Sequence, residues 1–135
     1  MSLEIDQKER EGVVLLKLDG RITVGKEATA LRSAVDELNQ ESKRNLVLDL
    51  ARVDYIDSTG LGALVMMANT MRKNGGNCKL LHLNRRNIEL LVMTKLATVF
   101  EIFNDEQDAI NSYFPDRKIK TFDILNFVQQ MKQEE

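Results

Sequence analysis

The chain has 135 residues, 43% of them hydrophobic, and its 19 basic and 21 acidic side chains leave a formal charge of −2. That length fits one compact domain with its own core, and the apolar content argues against disorder. The even charge balance points away from direct contact with nucleic acid or an anionic membrane.

No apolar run is long enough to span a bilayer, and residues 1–6 lack the basic and apolar regions of a signal peptide. The single cysteine, Cys78, excludes an internal disulfide and a cysteine-based metal cluster, as expected of a cytoplasmic protein.

In chain order, residues 5–9 and 13–19 read as two strands joined at Glu11-Gly12, an antiparallel hairpin. A helix follows over 26–40, where Ala28, Leu31, Val35 and Leu38 recur at helical spacing and Arg32, Asp36 and Glu37 fall opposite. Residues 46–50 form a short apolar strand. The next helix opens at Ser58 and runs to about Asn74, with Leu61, Leu64, Val65, Ala68 and Met71 as its apolar stripe. Asn74-Gly75-Gly76-Asn77 ends it. A strand over 78–83, a helix from 86 or 87 to 94, a strand over 99–103 and a helix over 105–113 complete the alternation. Strands alternating with helices imply parallel pairing and right-handed crossovers.

Pro115, the only proline, closes this unit at residues 1–114. The extension, 115–135, predicts one more helix, capped by Thr121, with Ile124, Phe127, Val128 and Met131 on one stripe and Phe122 and Leu125 beside it. Such a stripe favours a helix folded back over the domain; a docking or dimerisation helix is the alternative.

The most informative segment is Asp57-Ser58-Thr59-Gly60-Leu61-Gly62. It places a hydroxyl at a helix N-terminus beside the carboxyl end of a strand, where open α/β sheets carry their working residues. Asp and Ser both favour N-caps, so the pair alone would mean no more than a helix start. The glycines say more. Gly60 and Gly62 each cost the helix about 1 kcal/mol relative to alanine, so something other than helix propensity favours them. Close approach of another chain is one such reason. Ser58, Gly62, Met66 and Asn69 fall on one side of the helix, away from the core stripe, a small and partly apolar face suited to docking. Packing against a neighbouring helix is the competing account of Met66.

Within Tyr55-Ile56-Asp57-Ser58-Thr59-Gly60-Leu61-Gly62 the segment resembles the signature of STAS-domain anti-sigma factor antagonists. The resemblance covers roughly residues 5–113. It implies an α/β STAS fold: a small, mixed but largely parallel sheet with packed helices, an N-terminal hairpin and, here, an extra C-terminal helix. It implies a protein-binding module with no cofactor of its own. The unphosphorylated form would hold an anti-sigma factor that is also a GHKL-type serine kinase, and so release a sigma factor. That kinase would phosphorylate Ser58, and a PP2C-type phosphatase would reverse it. Asp57 would position Ser58; Thr59, Gly60, Gly62, Met66 and Asn69 would complete the contact surface. The family carries an acidic residue in the turn after its second strand. Here Gly20-Arg21-Ile22-Thr23-Val24 puts Thr23 there, and it joins the expected contact residues. The expected state is a monomer or weak homodimer. The runner-up is a non-phosphorylated STAS subunit of a transporter or another signalling complex.

Enzymatic alternatives fit poorly. A nucleophile elbow needs glycine where Ile56 stands, and the only histidine, His82, falls in a strand with no evident orienting partner. A phospho-aspartate receiver needs an early acidic pair, and only Asp19 is placed for it. Asp49 reads as a strand end and Asp54 as a turn residue. Cys78 reads as an inert thiol. Arg85-Arg86 lie in the loop after the fourth strand, at the same sheet edge as Ser58, either solvated or touching a partner.

Overall fold

The computed structural model describes residues 3–134. Strands β1 (Glu4–Arg10) and β2 (Val13–Ile22) form the expected antiparallel hairpin. Glu11 (φ 53°) and Gly12 (φ 80°) both sit in the left-handed region, the type I′ geometry whose twist suits a two-residue hairpin. There follow α1 (Lys26–Gln40), β3 (Asn45–Ile56), α2 (Ser58–Lys73), β4 (Asn77–Leu81), α3 (Arg85–Met93), β5 (Ile102–Phe103), α4 (Glu106–Asn111) and α5 (Ile124–Glu134).

The sheet order is β1-β2-β3-β4-β5, antiparallel at the hairpin and parallel elsewhere. Because the order advances in one direction, right-handed crossovers deliver α1, α2 and α3 to the same face. The larger core lies there: Val14, Leu16 and Leu18 of β2 and Leu46, Leu48 and Leu50 of β3 meet Leu31, Val35, Leu64, Met71 and Leu91. Alternate residues of the same strands, Val13, Leu15 and Val47, point the other way and join Leu81, Phe103, Ala109 and Ile110 beneath α4.

Just past α4, Tyr113 fastens that face. Its Oη accepts from Leu46 N–H at 3.1 Å and lies 2.6 Å from Leu46 O and 3.0 Å from Asn77 O, bridging β3 and β4. Lys79, buried below, stands 4.2 Å from the Tyr113 ring centre, pairs with Glu101 at 2.9 Å and donates to Ser112 Oγ at 2.9 Å. Burial raises the Cys78 thiol to about 12, so it stays protonated and unreactive, as its sequence context suggested. Among the described residues no helix is long and apolar enough to cross a membrane.

Several boundaries differ from expectation: β2 runs to Ile22 rather than Asp19, and α4 is shorter at both ends. β3 does not stop at Leu50: Val53, Tyr55 and Ile56 continue to pair with Gly20, Arg21 and Ile22, across two register irregularities. Asp49 and Asp54 are therefore strand residues rather than a strand end and a turn; a ladder formed with β2 overrides local turn preference. β4 ends at Leu81, and His82, with φ 58°, already belongs to the loop. β5 shrinks to two residues because Thr94 to Val99 form successive turns, with Leu96 N–H bonding Leu91 O and Val99 N–H bonding Leu96 O.

In the extension, Asp123 rather than Thr121 caps α5, its carboxylate accepting from Asn126 N–H at 3.0 Å. Ile124, Phe127, Val128 and Met131 are half-buried, whereas Leu125 is exposed. Phe122 and Phe127 pack on the larger core with ring centres 5.9 Å apart, and Arg85 of α3 pairs with Glu134. Phe122 N–H also donates to Ile102 O at 2.9 Å, so the segment before α5 covers the edge of β5. Truncation after Phe114 is expected to cost about 2–4 kcal/mol, roughly half the full-burial value for Phe122, Ile124 and Phe127. Urea denaturation of the truncated and full chains reads this directly, and equal midpoints would show that α5 adds nothing to stability.

Candidate functional site

The site forms where β3 hands over to α2. Ile56 is buried at the strand end, and Asp57 (φ −88°, ψ 179°) keeps the extended backbone that an N-cap requires. Its two carboxylate oxygens divide their work. Oδ1 accepts from Gly60 N–H at 2.7 Å, capping α2; Oδ2 accepts from Val24 N–H at 3.0 Å, in the loop between β2 and α1. Asp57 N–H in turn donates to Ile22 O at 3.2 Å. One acidic residue thus ties the first turn of α2 to the end of β2.

Ser58, next in the chain, begins α2 and is exposed. With the residue before it held at three points, its position is fixed by the fold. The N–H groups of Gly60, then Val24, then Thr59 hold the Asp57 carboxyl below its ordinary range, only partly opposed by desolvation. A depressed folded-state value contributes stability that is present above the unfolded value, about 3.9. That contribution fades as pH falls through the folded value. Asp57→Asn keeps a capping oxygen, so its acid loss of stability should be shallower than that of wild type; Asp57→Ala should cost about 1 kcal/mol at neutral pH. Urea melts at neutral and acid pH measure both, and parallel acid limbs for wild type and Asp57→Asn would refute the assignment.

The expected contact residues divide. Ser58, Thr59, Gly62, Met66 and Asn69 are all exposed on α2, while Leu61, Leu64, Ala68 and Met71 are buried beneath them. Nothing lies within 4 Å of where a Gly62 Cβ would stand. Met66 is 55% exposed, yet its Sδ lies 3.8 Å from Arg32 Nη2 of α1, so it also touches a neighbouring helix. Thr23 is half-buried beside Val24, its carbonyl accepting from Ala28 N–H at 3.1 Å.

Gly60 is placed otherwise. It is buried, and a Cβ there would stand 1.9 Å from Ile22 O. Its missing side chain admits the protein's own β2, not a partner.

Several residues escaped the sequence reading. Val24 is 66% exposed, Tyr55 40% and Met93 76%. Tyr55, Arg86, Leu90 and Met93 line a groove of about 200 Å³ between the end of β3 and α3, with the Arg86 guanidinium 5.2 Å above the Tyr55 ring. The sequence signal was weak: Tyr55 and Arg86 are far apart in the chain, and only the β3–α3 packing unites them.

His82 does have an orienting partner, contrary to expectation. Its Nδ1 lies 3.1 Å from Asp49 Oδ1, and the buried Asp49 also accepts from Ala51 N–H at 3.1 Å. Asp49 stands between Leu48 and Leu50, whose side chains enter the helix-covered core, so the pair faces the opposite side of the sheet from α2. It cannot serve Ser58 as a base. Arg85 and Arg86, expected in the loop, instead open α3, because Asn84 caps the helix just before them. Arg85 is engaged with Glu89 at 2.9 Å and with Glu134, so Arg86 is the one turned toward the groove.

Residues 4–109 match the STAS domain family. The chain is 33% identical over 102 residues to the anti-sigma-B factor antagonist of Bacillus subtilis (strain 168), spanning 76% of this chain and 92% of that protein. The anti-sigma factor antagonist from Mycobacterium paratuberculosis, solved by crystallography, shares the fold with a TM-score of 0.70 at 22% identity, over 82% of this chain and 92% of its own. The Bacillus cell fate determinant SpoIIAA, an anti-sigma factor antagonist solved in unphosphorylated and phosphorylated forms, gives TM-scores of 0.63 and 0.64 at 13% and 14% identity. Those alignments cover 84% and 82% of this chain and 100% and 99% of SpoIIAA.

Proposed function

The chain belongs to the STAS-domain family of anti-sigma factor antagonists, and we propose that Ser58 is the switch through which it binds and releases an anti-sigma factor. The observation that carries this is the Asp57 clamp, which presents an exposed serine at the start of α2 in a fixed position. The unphosphorylated protein docks through Ser58, Thr59, Gly62, Met66 and Asn69, with Thr23 and Val24 at the rim. The partner is an anti-sigma factor that is itself a GHKL-type serine kinase; it transfers phosphate from ATP to Ser58, and a PP2C-type phosphatase removes it. Thr23 contributes no charge where the family has an acid, so the kinase meets this loop through hydrogen bonding and shape. Residues 1–114 carry the switch, and 115–135 brace it. The chain acts by binding rather than by catalysis, in the cytoplasm.

Incubation with the cognate kinase and ATP, followed by intact-mass spectrometry, tests this reading. One phosphate on wild type and none on Ser58→Ala is the expected result. Phosphate retained in full on Ser58→Ala would move the site, with Thr59 the next acceptor; an unmodified wild type would remove the switch altogether.

A further inference from the structure

The free edge of β1 carries an unusual order of charges. Glu4, Asp6, Lys8 and Arg10 alternate with Ile5, Gln7 and Glu9, so the four charged residues share one face, acids first and bases last. Lys8 and Arg10 reach that face's helix α4, where both bind the single carboxylate of Glu106, Lys8 at 3.2 Å. Two cations on one anion leave positive charge to spare. Glu4 and Asp6 enter no ion pair among the described residues.

Charges on an edge strand usually prevent pairing, because a partner strand would meet like charge. Here the order is self-complementary. Turned about a two-fold axis through Gln7, the strand sets Glu4 against the partner's Arg10 and Asp6 against the partner's Lys8, and symmetry repeats both pairs. The backbone agrees with this register. A type I′ two-residue turn closes on a hydrogen-bonded Arg10–Val13 pair, so Arg10, Lys8, Asp6 and Glu4 turn their N–H and C=O groups toward β2. Ile5, Gln7 and Glu9 then turn theirs outward. With Gln7 opposite the partner's Gln7, those outward groups meet in hydrogen-bonded pairs. The charged residues fall at the intervening non-hydrogen-bonded positions, where side chains lie closest.

We propose that β1 pairs antiparallel with β1 of a second copy, centred on Gln7, to join two five-stranded sheets into one. Ile5, half-buried on the helix-covered side, gains cover from the partner's Glu9. The surface is separate from α2, so dimer formation does not depend on Ser58.

Sedimentation velocity on the full chain at rising concentration and at two ionic strengths tests the proposal. The expected result is a reversible dimer that weakens toward about 1 M salt, where screening falls to about 3 Å. Glu4→Lys/Asp6→Lys makes the charged face uniformly basic, and Lys8→Glu/Arg10→Glu makes it uniformly acidic. Each should raise the dissociation constant at least about tenfold, since attraction becomes repulsion at every facing pair. An equimolar mixture of the two variants should recover a dimer, because every facing pair is again of opposite sign. Circular dichroism confirms that each variant is folded. A wild type that stays monomeric at about millimolar concentration, a dimer that persists in either variant, or a mixture that fails to associate overturns the proposal; the first threshold corresponds to about −4 kcal/mol.

Discussion

Gly60→Ala should destabilise the domain by about 3 kcal/mol, although alanine is the better helix former by about 1 kcal/mol. A Cβ at this position would stand 1.9 Å from Ile22 O, 2.7 Å from its carbonyl carbon and 2.9 Å from its Cγ2. The first two atoms are backbone, in a strand paired with β3, so the conflict cannot be relieved by rotating a side chain. Either β2 moves or α2 does. Ile22 O also accepts from Asp57 N–H, and the neighbouring loop supplies the Val24 N–H that Asp57 binds. The damage should therefore reach Ser58 as well as the melting curve. Gly62→Ala, two residues further along α2, is the control: with open space around it, it should gain up to about 1 kcal/mol from helix propensity. Urea denaturation of both variants decides the matter, and a Gly60→Ala midpoint equal to wild type would sink the argument.

Phosphorylation of Ser58 should weaken partner binding about a hundredfold or more and leave the fold intact. Phosphate adds about −1.5 to −2 charges at neutral pH. At the first residue of α2 it meets the positive end of the helix dipole, worth about 0.3–1 kcal/mol. The ionised Asp57 beside it repels in the opposite sense, and the two effects largely offset. Circular dichroism should barely change. At the interface no such compensation operates: an unpaired charge buried against a partner costs about 3–5 kcal/mol, and each 1.4 kcal/mol is a factor of ten. Ser58→Asp, with one charge, should reproduce part of the loss, and Ser58→Ala should bind persistently. Calorimetry on phosphorylated and unmodified protein measures the difference directly. Equal affinities would place Ser58 outside the contact surface.

Much of the architecture was legible because the hydrophobic period is regular where it matters. The stripe Ala28, Leu31, Val35 and Leu38 and the cap Asp57 both sit where the sequence placed them. Local pattern was less informative wherever a distant segment decides the outcome. Asp54 looks like a turn residue until β2 pairs with Val53 and Tyr55 on either side of it and leaves it as the bulge of a continuing strand, and β5 looks longer than the two residues that β4 pairs. The glycines show the same limit. Helix phase put Gly62 on the outward face, yet both glycines were expected to serve the contact surface; Gly60 instead faces Ile22, because helix phase alone does not say which backbone passes overhead. His82 showed no partner in sequence because its contact with Asp49 runs from the loop after β4 to β3, between residues far apart in the chain.

The strand order has a consequence for how the chain is made. Each strand pairs with the one before it, from β1 to β5, so no strand waits for a later segment to fill a gap beside it. A ribosome delivering the chain at about 5–20 residues per second would let the sheet grow one strand at a time, each new strand finding an existing edge as its template. The loops closed at each step are short compared with those of a sheet whose central strand arrives last, which favours fast assembly. Tyr113 comes late in this sequence, and its bridge between Leu46 and Asn77 locks strands that were laid down long before it emerged.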